Sequence, residues 1–182
     1  PKSVGKVPAC ADGALEALAS AASTGPERSV KPSTAGRPLP MELLAPAGGM
    51  EQLRAAVRFG ADAVYLASDR FGMRARAANF PLDAIPEAVA FAHGHGAKVH
   101  VSCNVLMHGD DIDALPAYFR ALEAAGVDAL IISDLGAAAL AVQHAPSVAL
   151  HVSTQASVAN AAAARVWQRL GARRIVCALS LI

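Results

Sequence analysis

From Met41 onward the sequence alternates short apolar runs with longer amphipathic stretches, and this alternation limits the folds that the chain can adopt. Between successive apolar runs the apolar residues recur with helical spacing, which predicts about six strands with a helix between each pair. Four glycines end these stretches at positions where a left-handed residue commonly closes a helix, namely Gly60, Gly96, Gly126 and Gly171. The strand candidates are "ELLAP", "DAVYLAS", "KVHVSCN", "DALIIS", "VALHVS" and "RRIVCA".

Strands that are apolar on both faces and joined by helices predict a parallel sheet covered by helices. Two folds satisfy this pattern, an open doubly wound sheet and a (β/α) barrel. The barrel is favoured because no GxGxxG turn follows the first strand and because polar residues follow strand after strand. We therefore expect an α/β fold of the TIM-type (β/α) barrel class that is incomplete, with about six of its eight βα units.

Residues 1–40 differ in character from the rest of the chain. The stretch "TGPERSVKPSTAGRPLP" is rich in Pro, Gly and Ser and has neither helical nor strand periodicity. We expect a flexible, disordered amino-terminal leader over 1–40 and a single domain over 41–182. The chain starts with Pro1 and stops inside an apolar run, a pattern that indicates a fragment of a longer protein.

Composition excludes several classes of protein. With 182 residues, 54% of them hydrophobic, the chain can bury a sizeable core. No apolar run approaches the roughly 20 residues of a membrane-spanning helix, so we expect no membrane contact. The three cysteines share no close spacing and indicate neither disulfides nor a metal site, which favours the cytoplasm. A net charge of +1 is not the footprint of an autonomous nucleic-acid binder.

Polar side chains gather at the carboxyl ends of the predicted strands, where parallel barrels carry their functional groups. In "LHVSTQAS" they are His151, Ser153 and Gln155, and Asn104 ends the third strand. We expect these four residues to bind a polar substrate, with His151 one layer deeper than the others; the alternative is structural hydrogen bonding inside the barrel. Catalysis by Ser153 with His151 is disfavoured, because side chains two apart on a strand lie about 7 Å from each other.

The loop "RFGMRARAANF" brings Arg74 and Arg76 close to Asn79 after the second strand. Guanidinium groups in such a loop can bind a carboxylate or phosphate in a bidentate manner. The alternative is a solvated loop whose arginines pair with nearby aspartates, and the residues alone do not decide between the two.

A metal site is not expected in this chain. His100 and Cys103 are three residues apart on a predicted strand, so their side chains point to opposite faces. Asp134, in "IISDLG", is predicted to cap the helix that follows it rather than to act as an acid or base.

Several motifs, taken in order, resemble the amino-terminal portion of the peptidase U32 family. They include "ELLAPAGGMEQLRAAVRFGADAVYLA", "AHGHGAKVHVSCNVLMH", "GVDALIISDLG" and "LHVSTQASVANAAAARVWQRLGARRIV". The resemblance implies a barrel-type catalytic domain and favours Arg74, Arg76 and Asn79 as substrate-binding residues. It also implies a [4Fe-4S] cluster in the full-length protein, held by cysteines beyond residue 182, and no cofactor held by this chain itself.

The resemblance leaves the reaction open, since family members are described either as collagenase-like peptidases or as hydroxylation proteins acting on tRNA, ribosomal RNA or a quinone precursor. We expect RNA-base hydroxylation, because the chain shows no nucleophile–base pair, no HExxH motif and no paired carboxylates. The alternatives are a peptidase with a peptide substrate, a non-catalytic barrel fragment that needs a partner chain, and a binder of small anions. One departure is Leu179 and Ser180, where the family usually has an Arg–Glu pair.

Overall fold

The computed structural model describes residues 41–72 and 79–178, and the predicted leader over 1–40 lies outside these residues. Six strands form one sheet, all pairs are parallel, and the strand order follows the chain from first to last. The parallel α/β class expected from the sequence is confirmed. The strands are β1 (Leu44–Pro46), β2 (Ala63–Ala67), β3 (Lys98–Cys103), β4 (Ala129–Ile132), β5 (Ala149–Val152) and β6 (Ala172–Ile175).

A helix follows each strand from β1 to β5, and two short 3-10 turns lie between these elements. Gly60, Gly96, Gly126 and Gly171 have φ values of +88°, +79°, +79° and +97°, so the predicted left-handed helix ends are confirmed. No described helix is long and apolar enough to span a bilayer. The helices are α1 (Met50–Arg58), α2 (Ile85–Gly94), α3 (Gly109–Ala124), α4 (Leu135–His144) and α5 (Ala161–Arg169), and the turns are Leu82–Ala84 and Thr154–Ala156.

The core lies between the helices and one face of the sheet. Because crossovers between parallel strands are right-handed, a strand order that never reverses places the connecting helices on a single face. Alternate strand residues point toward those helices and are almost fully buried, while the residues between them point to the opposite face. The buried set includes Val64, Leu66, Val99, Val101, Leu130, Ile132, Leu150 and Val152.

The chain leaves β5 earlier than the sequence pattern indicates. β5 ends at Val152, the next residues form a 3-10 turn, and Ser157 adopts the left-handed conformation with φ +53°. A left-handed residue cannot belong to an α-helix, so α5 begins later, at Ala161. Its cap is Asn160, whose side-chain oxygen accepts a hydrogen bond from Ala163 N at 2.9 Å.

The two edges of the sheet are connected by one ion pair. Arg174 on β6 donates to both carboxylate oxygens of Glu42, just before β1, at 2.6 and 2.8 Å. No backbone pairing joins β1 to β6 among the described residues. The sheet therefore curves far enough for side chains from its first and last strands to meet.

Candidate functional site

A cavity of about 440 Å³ opens at the carboxyl ends of the strands, on the face turned away from the helices. This volume falls within the roughly 300–1,000 Å³ typical of small-molecule sites. Its walls combine apolar side chains, such as Ile131, with amide and hydroxyl groups. Among the described residues that line it, none carries a formal charge. The polar groups include those of Tyr65, Asn79, Ser102, Asn104, Ser153 and Gln155.

The centre of this site is a hydrogen-bonded group formed by Asn104, Ser153 and Gln155. Because the chain turns after Ser153, Gln155 folds back toward it instead of continuing along the strand. The Ser153 hydroxyl donates to Gln155 Oε1, and Asn104 Nδ2 donates to the same oxygen at 2.9 Å. The 3-10 turn thus brings together side chains that are 51 residues apart in the chain.

His151 lies deeper in the sheet and packs against His100 instead of Ser153. The two imidazole rings meet edge to face, with centroids 4.8 Å apart, although β4 separates their strands. Burial, with smaller contributions from His100 and Arg174, lowers the pKa of His151 to about 4. Burial also lowers the pKa of His100, so both rings are neutral at pH 7. His100 Nδ1 is buried without a hydrogen-bond partner.

Among the described residues, no base accepts the Ser153 proton. A nucleophilic serine must donate its proton to a group such as a neutral imidazole. Here the Ser153 proton is directed to the amide oxygen of Gln155, which is not a base at neutral pH. The low expectation for catalysis by Ser153 and His151 agrees with this arrangement.

No group of three His, Cys, Asp or Glu residues is arranged to hold a metal ion within residues 41–72 and 79–178. Burial raises the pKa of the Cys103 thiol to about 12, so this thiol stays protonated at neutral pH, whereas Cys177 is exposed. A [4Fe-4S] cluster requires several cysteine thiolates, so the described residues do not fit one. The expected cluster cysteines beyond residue 182 stay a prediction.

The remaining residues predicted from the sequence lie in the cavity wall, at a helix start or outside the described residues. Asn79 lines the cavity, and its role as a substrate-binding residue stays a prediction. Arg74 and Arg76 lie outside the described residues, as do Leu179 and Ser180. Asp134 caps α4 by accepting a hydrogen bond from Ala137 N at 2.8 Å, which confirms the predicted cap.

Three polar residues that line the cavity, Tyr65, Ser102 and Thr154, are missing from the sequence prediction. The signal for Ser102 was present, because His100 and Ser102 on β3 alternate with the same period as Asn104, the residue after the strand, and so share one face. Tyr65 alternates in the same way with Ala63 and Ala67 on β2, but these apolar neighbours gave no indication of a polar site.

The sequence profile described as "Peptidase family U32" matches residues 48–181. The chain belongs to this family. It is 41% identical over 137 residues to the "tRNA hydroxylation protein P1" of Bacillus subtilis, a match that covers 75% of the chain and 32% of that relative. It is 38% identical over 141 residues to the "23S rRNA 5-hydroxycytidine C2501 synthase" of Escherichia coli, covering 78% of the chain and 21% of that relative. The U32 chain thus spans a third or less of the length of these two relatives.

The fold is also similar to a solved structure. The structure of the U32 peptidase Mk0906 superposes with a TM-score of 0.63 at 18% sequence identity, covering 81% of this chain and 62% of that one. At this identity the likeness concerns the fold alone. It agrees with the arrangement of parallel strands and helices.

Proposed function

We propose that this U32 chain is the base-binding part of an RNA-hydroxylation enzyme that acts on tRNA or ribosomal RNA. Two relatives named for RNA hydroxylation support the reaction class. Within the described residues, the cavity at the strand ends supplies substrate binding and orientation. The oxidation itself is assigned to the whole protein, because the described residues offer neither a metal-binding group of three nor a set of cysteine thiolates for a cluster.

The observation that carries the proposal is the amide-rich character of the cavity walls formed by the described residues. A site built for a phosphate or carboxylate commonly presents Arg or Lys side chains. This cavity presents the amides of Asn79, Asn104 and Gln155 beside the apolar Ile131, with no charged side chain among its described lining residues. Amides can both donate and accept hydrogen bonds, as the edge of a nucleobase does.

The peptidase alternative has less support. It rests on the family description and on the name of a curated relative, an uncharacterized protease of Methanocaldococcus jannaschii that is 33% identical over 136 residues. Peptide hydrolysis needs an activated nucleophile or a metal-bound water. In the described residues Ser153 donates to an amide oxygen, and no metal-binding group of three is formed.

For the whole protein we propose a complete TIM-type (β/α) barrel. The unreversed strand order and the curvature that lets Arg174 reach Glu42 support this architecture. Further strands between β6 and β1, from the same polypeptide or from a partner chain, would complete it. A [4Fe-4S] cluster held outside the described residues and a cytoplasmic location belong to the same proposal.

The test measures hydroxylated nucleosides in RNA. The protein as its gene encodes it is expressed in a bacterium that lacks its own RNA-hydroxylation protein, and digested tRNA and ribosomal RNA are analysed by mass spectrometry. We expect nucleosides with one added oxygen, and a loss of more than about tenfold in Gln155→Ala with unchanged thermal stability. Ser147→Ala, which removes a hydroxyl bonded to Glu123 before β5, is the matched control. Absence of hydroxylated nucleosides, or full activity in Gln155→Ala, would contradict the proposal.

A further inference from the structure

The orientation of the Gln155 amide is fixed by two donors. Its Oε1 accepts one hydrogen bond from the Ser153 hydroxyl and one from Asn104 Nδ2. A carbonyl oxygen has two lone pairs, so both are used by these contacts. Gln155 Nε2 is bonded to the same carbon in the same plane and is therefore directed away from the two donors that contact Oε1.

The same contact fixes the orientation of Asn104. Because its Nδ2 donates to Gln155, its Oδ1 is directed elsewhere. Its backbone is also held, since Asn104 N donates to Phe71 O at 3.0 Å. The amide groups of Gln155 and Asn104 are therefore neighbours, and both residues line the cavity. Gln155 Nε2 has two N–H groups and Asn104 Oδ1 has two lone pairs, so this donor and this acceptor can each serve a ligand besides a protein partner.

A donor next to an acceptor is the complement of the Watson–Crick edge of a pyrimidine, which carries an acceptor next to an N–H. We propose that the Asn104–Gln155 amide pair binds the Watson–Crick edge of an unpaired base, with Ser153 as the residue that positions the Gln155 amide. This inference rests on the proposed function and deepens it. A base inside a duplex uses that edge for pairing, so the substrate must be a single-stranded or flipped-out nucleotide.

The experiment compares two nucleotides that differ only at this edge. Binding of uridine 5′-monophosphate and of 3-methyluridine 5′-monophosphate to the intact protein is measured by calorimetry. The methyl group removes the N3–H donor and blocks approach to the edge, so we expect affinity for the methylated nucleotide to be at least about tenfold lower. Equal affinity for the two would overturn the assignment of the edge.

Ser153 variants test the positioning role. Without the Ser153 hydroxyl the Gln155 amide can rotate, so Ser153→Ala should reduce the discrimination between the two nucleotides to about threefold or less. Ser153→Thr keeps a hydroxyl and should restore it, while Ser147→Ala should leave it unchanged. A purely structural role would lower stability without altering this ratio, and full discrimination in a folded Ser153→Ala protein would overturn the role.

The outcomes separate this inference from the function on which it rests. If both nucleotides bind equally and Gln155→Ala weakens both, base binding stands and the edge assignment falls. If neither nucleotide binds, both fall. If discrimination is observed but RNA hydroxylation is absent, the edge assignment stands and the proposed reaction falls.

Discussion

At the scale of single residues, His151 is a neutral imidazole in a site that disfavours charge. Burial holds its pKa at about 4, compared with about 6.5 for a free histidine. Between these two values the unfolded chain binds a proton that the folded chain does not bind. The free energy of unfolding is therefore unaffected by His151 above pH 6.5, and it decreases as the pH falls from 6.5 toward 4.

We expect the free energy of unfolding to fall by an amount on the order of 3 kcal/mol across this range, from His151 alone. His151→Phe keeps an aromatic ring against His100 but cannot be protonated, so its stability should depend less on pH. Chemical denaturation between pH 7 and pH 4 measures this, with the exposed His95→Gln as control. A fall in stability as steep in His151→Phe as in the parent would contradict the assigned pKa.

The residues of the site were only partly predictable from the sequence. Alternation along β3 identifies Asn104 because a strand has a fixed period of two. Gln155 was expected at the same rim, but as part of a continuing strand. Its contact with Ser153 depends on a 3-10 turn, which is too short to leave a periodic signal. Ser157 ends this turn in the left-handed conformation, and because it is not a glycine, the sequence did not predict that conformation.

At the scale of secondary-structure elements, the end of α2 shows how much a left-handed glycine contributes to stability. Gly94 and Gly96 lie two residues apart, and a Cβ added at either would meet no atom within 4 Å. They differ in backbone conformation, because Gly96 has φ +79° whereas Gly94 is helical. A substitution at these two positions therefore isolates the conformational cost from packing.

Gly96→Ala should lower the free energy of unfolding by about 1–2 kcal/mol, because a side chain disfavours the left-handed region. Gly94→Ala should raise it by about 0.4–1 kcal/mol, since alanine restricts the unfolded chain and favours the helix. Urea denaturation of both variants gives the comparison, with each serving as the other's control. Equal effects of the two changes would show that the left-handed conformation does not limit this helix end.

Most elements were predictable because each carries its own local signal. Strands are recognised by apolar runs, and four helix ends by glycines that follow amphipathic stretches. The start of α5 was not predictable in this way, because residues 157–160 contain no glycine or proline. The Asn160 side chain, which accepts from Ala163 N, is the cap that marks the actual start.

At the scale of the whole molecule, the contact between the two edges of the sheet could not be predicted from the sequence. Glu42 and Arg174 are 132 residues apart, and nothing in the two quoted motifs that contain them indicates a contact. Their contact depends on the accumulated twist and curvature of six strands, which no local pattern encodes. Parallel order could be predicted from the connections between strands, whereas the curvature that brings the edges together could not.

The Glu42–Arg174 pair should contribute measurably to stability because it is bidentate and connects distant parts of the chain. The hydrogen bond from Arg174 also lowers the pKa of Glu42, so the pair persists to acidic pH. Side-chain exposures of 28% for Glu42 and 37% for Arg174 allow solvent to screen the interaction. We therefore expect a coupling energy of only about 1 kcal/mol, smaller in high salt.

A double-mutant cycle with Glu42→Gln and Arg174→Gln, followed by urea denaturation at low and high ionic strength, measures this coupling. Arg173→Gln is the matched control, because this arginine neighbours Arg174 on β6 but points to the opposite face of the strand. Combined with Glu42→Gln it should give additive effects at both ionic strengths. If the Glu42–Arg174 coupling is zero at low salt, this ion pair does not hold the two edges of the sheet together in solution. In that case the curvature that supports a barrel would lose its main evidence.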